Sequence, residues 1–143
     1  MKLEIKEIPF GDRPEVPQPN NELLKHLGED GIRKLISDFY DRLSESSINH
    51  LFPGKGIGLE MSKKKSADFF IQRLGGPDYY TQRRGKPMLA ARHRYFKITS
   101  ADRLVWLNCF KEALELLNAP PELINPFWNF LHEFSNWMVN TKS

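Results

Sequence analysis

Residues 69–96 read FFIQRLGGPDYYTQRRGKPMLAARHRYF, and the rest of the chain is organised around them. Phe69, Phe70 and Leu74 recur at helical spacing, which puts them on one face. Gly75, Gly76 and Pro77 then stop that helix: glycine admits positive φ, and proline cannot extend the hydrogen-bond ladder. A basic, polar loop is expected through Tyr79, Tyr80, Arg83, Arg84 and Gly85. Order resumes at Pro87, and residues 88–93 predict a short helix carrying one histidine, His93, with Tyr95 and Phe96 close behind. From chemistry alone such an imidazole has two readings. It is a structural histidine on a helix face, or, set among apolar side chains with basic groups on both sides, it holds the iron of a dianionic haem.

Upstream, Asn21 is placed to cap a short helix holding Leu23, Leu24 and Leu27 and ended by Gly28. A second helix over about 30–43 buries Ile32, Leu35, Ile36, Phe39 and Leu43, with Tyr40 on the edge of the stripe. After a polar turn, Ile48, Leu51 and Phe52 form an apolar knot before Pro53. Gly54, Gly56 and Gly58 make a flexible corner; GKGIG lacks the order of a phosphate loop. Ser62 is the expected N-cap of the helix that carries Phe69. Lys63, Lys64 and Lys65 would then crowd its first turn, against the macrodipole. Ser62 and Ser66 lie one turn apart on one face.

Downstream, Ser100 is expected to cap a helix over about 101–118, with Leu104, Leu107, Phe110, Leu114 and Leu117 as its stripe and Trp106 at the edge. Pro120 and Pro121 break it. Asn125 and Pro126 are read as the N-cap and first residue of the last helix, which carries Phe127, Phe130, Leu131, Phe134, Trp137 and Met138. His132, beside Glu133, is expected on the solvent side. No second histidine stands at i+4 of another and there is no HExxH, which argues against zinc. Residues 1–20 contain Pro9, Pro14, Pro17 and Pro19 and are read as an extended arm, with Leu3, Ile5 and Ile8 alternating against charges. The chain is therefore expected to be all-α: an arm (1–20) and one helical domain (21–143).

Composition narrows the classes. Apolar residues make up 40% and aromatics 12%, enough for a packed interior and against wholesale disorder. With 21 basic and 18 acidic residues the net charge is +3, too balanced in itself to argue for a nucleic-acid partner. One cysteine, Cys109, excludes an internal disulfide and reads as a small buried hydrophobe. No stretch has the length of a membrane span or of a signal-peptide core, so a cytoplasmic protein is expected.

The run GGPDYYTQRRGKPMLAARHRYF, with Trp106 thirteen residues past His93, resembles the group II truncated haemoglobins. That family's pattern runs Gly-Gly-Pro, an aromatic before Ser or Thr, Arg-Gly-x-Pro, Arg-His, Phe and then a tryptophan. The resemblance extends back to Phe39-Tyr40 and Leu51-Phe52-Pro53, from about residue 22 to about 140. It implies a globin-like 2-on-2 helical sandwich around a non-covalent haem b, since no CxxCH is present for attachment. It implies His93 as the proximal ligand and Tyr40 and Trp106 as distal donors. Arg92, Lys65 and Tyr80 are candidates for the haem carboxylates. Phe52, Phe69, Phe70, Leu89 and Phe96 are expected as apolar walls, with Ser62 and Ser66 facing the distal side.

The resemblance implies binding of dioxygen, nitric oxide, carbon monoxide or similar small ligands. A second expectation is turnover, as a nitric oxide dioxygenase or a peroxidase-like enzyme. There is no GxGxxG, so turnover would need an external reductase. A third, from another class, is a haem-free helical domain binding a protein partner through its aromatics.

Overall fold

A computed structural model describes residues 3–94 and 96–142, with only the backbone of Ala90; Tyr95 lies outside the described residues. Six α-helices follow one another: α1 Glu22–Ser44, α2 Gly56–Arg73, α3 Tyr79–Arg84, α4 Leu89–Arg92, α5 Ser100–Glu115 and α6 Pro121–Asn136. A single 3₁₀ turn, Asn49–Leu51, joins α1 to α2. No strand occurs among the described residues, as the all-α reading expects.

The long helices form two antiparallel pairs. Across α1 and α2, Asp41 meets Lys63, Tyr40 meets Ser66 and Arg33 meets Asp68, so one helix ascends as the other descends. Across α5 and α6, Arg103 meets Ser135, and the Phe110 and Phe127 rings lie 5.9 Å apart. Aromatic rings then join the pairs. Phe39 of α1 stacks on Phe110 of α5 with centroids 3.7 Å apart, and Phe70 of α2 meets Phe110 edge-on at 5.5 Å. Edge-to-face and offset contacts of this kind add to the area buried.

Local signals account for most boundaries. Gly28 adopts φ 73°, ψ 170° inside α1 and divides it where two helices were expected. At the end of α2, Gly76 N–H bonds Ile71 O and Gly75 N–H bonds Gln72 O, a Schellman closure that needs the φ of 92° at Gly75.

Five expectations are corrected. The first is the start of α2, at Gly56 rather than after Ser62: the glycine corner is itself the first turn, with Gly56 at φ 69°. Lys63–65 therefore lie in mid-helix, away from the dipole's end, and Lys63 pairs with Asp41 at 2.7 Å. Second, residues 79–84 form a helix rather than a loop. Gln72 reaches across to cap it, accepting from Thr81 N–H at 3.0 Å and donating to Thr81 Oγ1 at 2.8 Å.

Third, Thr99, not Ser100, caps α5. Its hydroxyl accepts from Asp102 N–H at 3.2 Å while Asp102 accepts from Thr99 N–H at 2.9 Å, a reciprocal box. Fourth, α6 begins at Pro121, four residues before Asn125, because Pro121 already fills the first helical position; Pro126 sits inside the helix. Fifth, His132 is buried rather than exposed. The arm covers that face: Lys6 N–H donates to His132 Nε2 at 2.8 Å, and Nδ1–H donates to Glu133 at 2.9 Å.

The arm has no regular structure but lies tightly on α5 and α6. Leu3 is 1% exposed. Trp128 Nε1–H donates to Glu4 O, Trp137 Nε1–H to Pro14 O, and the buried Arg103 guanidinium to Lys6 O at 3.1 Å. Cys109 is buried on α5 as expected, and burial pushes its thiol up to about 11.

Candidate functional site

Between the helix pairs lies an apolar cavity of about 280 Å³. It gathers all thirteen side chains expected at a site: His93, Tyr40, Trp106, Phe52, Ser62, Lys65, Ser66, Phe69, Phe70, Tyr80, Leu89, Arg92 and Phe96. Sequence reading missed further lining from the C-terminal half, notably Ile98, Arg103, Phe134 and Met138. Phe134 and Met138 stand four apart on the last apolar stripe, a signal that was available. Arg103 was missed because the groups that satisfy its buried guanidinium, Ser135 Oγ and His132 O on α6 and Lys6 O of the arm, are distant in the sequence.

One wall is carried by long helices. Tyr40 is buried on α1, and its hydroxyl lies 2.7 Å from Ser66 Oγ on α2. Burial pushes the Tyr40 phenol above its ordinary value, against the smaller opposing effect of the Ser66 bond. The phenol is therefore a neutral hydrogen-bond donor at neutral pH. Phe39 fixes its neighbours, meeting Tyr40 edge-on at 5.5 Å and Trp106 edge-on at 5.3 Å. Phe52 closes on Tyr40 at 5.8 Å.

The opposite wall is carried by four-residue α4. His93, its C-cap, is half-buried, and Nδ1 lies 2.7 Å from Leu89 O. A carbonyl only accepts, so Nδ1 carries the proton. In the neutral imidazole Nε2 then keeps its lone pair, the state a metal-ligating histidine requires. Asn140 Nδ2 donates to the carbonyls of His93 and Phe96 at 3.3 and 2.7 Å, tying this wall to the C-terminal segment.

The rim is cationic. Lys65, Arg84 and Arg92 lie close enough that, after burial, the charges of Arg92 and Arg84 are what hold the Lys65 ammonium below its ordinary value. Arg84 and Arg92 each stand over the Tyr80 ring, at 5.6 and 5.7 Å. The Tyr80 hydroxyl is buried and has no hydrogen-bond partner. A buried orphan hydroxyl costs about 1–3 kcal/mol, so it marks a place for a missing acceptor. Three mutually repelling cations and an unpartnered hydroxyl beside an apolar slot, with an imidazole lone pair available, form the donor set that an apolar, dianionic, metal-centred ring requires. The residues present therefore fit haem.

Behind the rim, Asp68 is fully buried on α2. It accepts from Arg33 at 3.0 Å, Arg83 at 2.8 Å and Arg84 at 3.0 Å. Burial alone would raise its carboxyl; the three guanidinium bonds outweigh that and hold it below the ordinary range. This cluster was not anticipated from sequence, since its partners come from three separate stretches.

Two antiparallel helix pairs enclosing an apolar pocket, lined by one histidine at the end of a short helix, the buried Tyr40 and the half-buried Trp106, define a truncated, 2-on-2 globin. The family model for bacterial-like globins matches residues 23–140. The group 2 truncated haemoglobin of Bacillus subtilis is 34% identical over 115 residues, which are 80% of this chain and 85% of that protein. The phosphate-bound Hell's gate globin IV superposes with a TM-score of 0.89 at 34% identity, covering 98% of this chain and 88% of the other. A truncated oxygen-avid haemoglobin from Bacillus subtilis superposes at 0.77 with 32% identity, over 82% of this chain and 98% of that one. This chain belongs to the bacterial-like globin family, as a group II truncated haemoglobin. Membership implies a haem cofactor. Among the described residues no helix is long and apolar enough to cross a membrane.

Proposed function

We propose that the chain reversibly binds dioxygen and related diatomic gases at one molecule of haem b, held by the thirteen residues gathered in the cavity. Haem, when bound, supplies an iron with one coordination position open to a small ligand. Nε2 of His93 is the protein's ligand, its lone pair free in the neutral tautomer that donates Nδ1–H to Leu89 O. That bond is the observation that carries the proposal, because it occupies Nδ1 and leaves Nε2 as the ligating nitrogen.

The other residues follow from their places. Lys65, Arg92 and the Tyr80 hydroxyl pair with the haem carboxylates, which relieves the repulsion and the orphan donor together. Phe52, Phe69, Phe70, Leu89 and Phe96 exclude water. Tyr40 O–H and Trp106 Nε1–H donate to the ligand, with Ser66 orienting the phenol. Donors to a partly charged acceptor contribute about 1.5–3 kcal/mol each and slow its release. The oxygen-avid relative from Bacillus subtilis supports such a slow-releasing site. Slow release suits scavenging or redox use better than bulk transport, and sustained redox use needs an external reductase.

Haem titration of the purified protein tests this. The expected result is a Soret band saturating at one haem per chain, with a five-coordinate ferrous spectrum that His93→Gly abolishes. A variant spectrum identical to wild type would remove His93 from the role, and a wild-type chain with no Soret band would return the haem-free reading.

A further inference from the structure

The near-neutral total charge conceals a strong asymmetry. Residues 61–97 contain ten Lys and Arg against two acids, a net +8, so the remaining residues carry −5 of the chain's +3. The fold keeps that charge together. Arg33, Arg83 and Arg84 converge on the single carboxylate of Asp68. Arg84 continues to Lys65 and Arg92, and Arg92 donates to the backbone carbonyls of Arg84 and Lys86 at 2.8 and 3.0 Å. Three arginines thus share one buried carboxylate and two further cations adjoin them, with Glu29 approaching the outer hydroxyl of Tyr79. No carboxylate among the described residues pairs with Lys64 or Lys86, which stay unpaired when Lys65 and Arg92 meet the haem carboxylates.

The same face carries two exposed large apolar side chains. Met88 is 64% exposed and Phe96 is 47% exposed, on the two flanks of α4. Apolar points inside a charged margin are the anatomy of a protein–protein contact. This face is also the edge of the haem cavity, since Lys65, Arg92 and Phe96 belong to both.

We infer that the face built from α3, α4 and the middle of α2 docks an acidic one-electron donor protein. The inference rests on the haem reading above and names the partner which that reading leaves open. One electron leaves the donor's reduced centre and takes ferric iron to ferrous; no bond is made or broken. Charge complementarity selects the partner, because a basic patch raises encounter rates with an acidic surface and does so less as salt rises. A long polyanion such as nucleic acid fits worse: it would run past the patch onto surface of opposite net charge.

The test uses the full haem-loaded chain and an acidic plant-type [2Fe–2S] ferredoxin as probe, with binding read from amide chemical shifts and reduction from stopped-flow spectra. Binding should centre on residues near Met88 and Phe96 and weaken about tenfold or more between ~50 and ~300 mM salt. Lys64→Glu with Lys86→Glu, neither residue lining the cavity, should weaken binding and slow reduction about tenfold at low salt. Reduction by photoreduced neutral lumiflavin and the Soret band should stay as in wild type. Should the reversal disturb the haem band, Lys64→Gln with Lys86→Gln should still weaken binding, by a smaller factor. Unchanged binding in both double variants overturns the inference. So does equally tight binding of a basic cytochrome or of a ~20-nucleotide RNA at the same salt. If the wild type takes no haem, the functional reading fails, and ferredoxin binding to the haem-free chain still decides the docking face.

Discussion

The two walls of the cavity are built differently. Tyr40, Ser66 and Trp106 project from the interiors of α1, α2 and α5, helices of 23, 18 and 16 residues; Phe39 meets the Tyr40 and Trp106 rings, and Ser66 bonds the Tyr40 hydroxyl. His93 ends a helix of four residues, with exposed Met88 and Phe96 on either side. A donor that must discriminate a small ligand needs fixed geometry, and long packed helices provide it. A wall that must admit a large ring is instead placed on a short element held by few local bonds.

The largest expected effect is in hydrogen exchange of the haem-free chain. Amides of buried 32–43 should exchange near the rate set by global unfolding, while those of 86–98 exchange about a hundredfold faster or more. Adding haem should slow the second group far more than the first. Equal protection in both segments before haem is added would erase the contrast.

Next in size is Asp68→Asn, which leaves three arginines facing a neutral amide. Breaking a buried ion pair costs about 3–5 kcal/mol; with the arginines partly exposed the low end applies, readable as a fall in the urea midpoint. The folded carboxyl lies below its ordinary value. Its contribution is therefore full above the usual carboxylate range and is lost as pH falls through the lowered value. The stability gap between wild type and variant should narrow on acidification; a gap independent of pH would place the effect in packing instead.

Tyr40→Phe keeps the ring and removes the donor. Dioxygen dissociation should quicken about tenfold, equivalent to ~1.4 kcal/mol. Ser66→Ala should quicken it less, because it loosens the phenol without removing it, and Trp106→Phe should couple non-additively with Tyr40→Phe. If Ser66→Ala has the larger effect, Ser66 rather than Tyr40 faces the ligand.

The smallest effect concerns the joint between the walls. Thr99 ends the loop behind His93 and caps the helix bearing Trp106. Thr99→Ala should cost about 1 kcal/mol in thermal unfolding with little change in ligand kinetics. A large kinetic change would show that the cap sets distal geometry.

The walls also differed in how far the sequence revealed them. The proximal side was read from a contiguous motif, whereas periodicity put Tyr40 only at the edge of the α1 stripe and the family resemblance gave it a place at the site. Asp68 escaped because a lone acid on a helix is ordinarily solvated, and its place between Ala67 and Phe69 does not name its partners; its burial depends on Arg33, Arg83 and Arg84, contributed by other stretches. Arg103 and His132 escaped for a related reason. Each is a polar residue among buried positions, Arg103 in register with Leu107, Phe110 and Leu114, and its partners lie far off in the sequence, on the facing helix and in the folded-back arm. The start of α2 was misplaced because three glycines in five residues read as a corner, whereas Gly56 at positive φ opens the helix through an exposed first turn.

That arm sets an order of events. Its bonds join Glu4 to Trp128 and Lys6 to His132, contacts that close a loop of almost the whole chain. Contacts of such high sequence separation form late, since loop closure must precede any gain. The arm is synthesised before the helices it covers, and until α6 has folded Leu3 has no pocket and the Arg103 guanidinium lacks the Lys6 carbonyl. Docking of the arm onto the last helix is thus the closing step of folding, and it completes the back of the cavity through Arg103, which lines the cavity and bonds the arm.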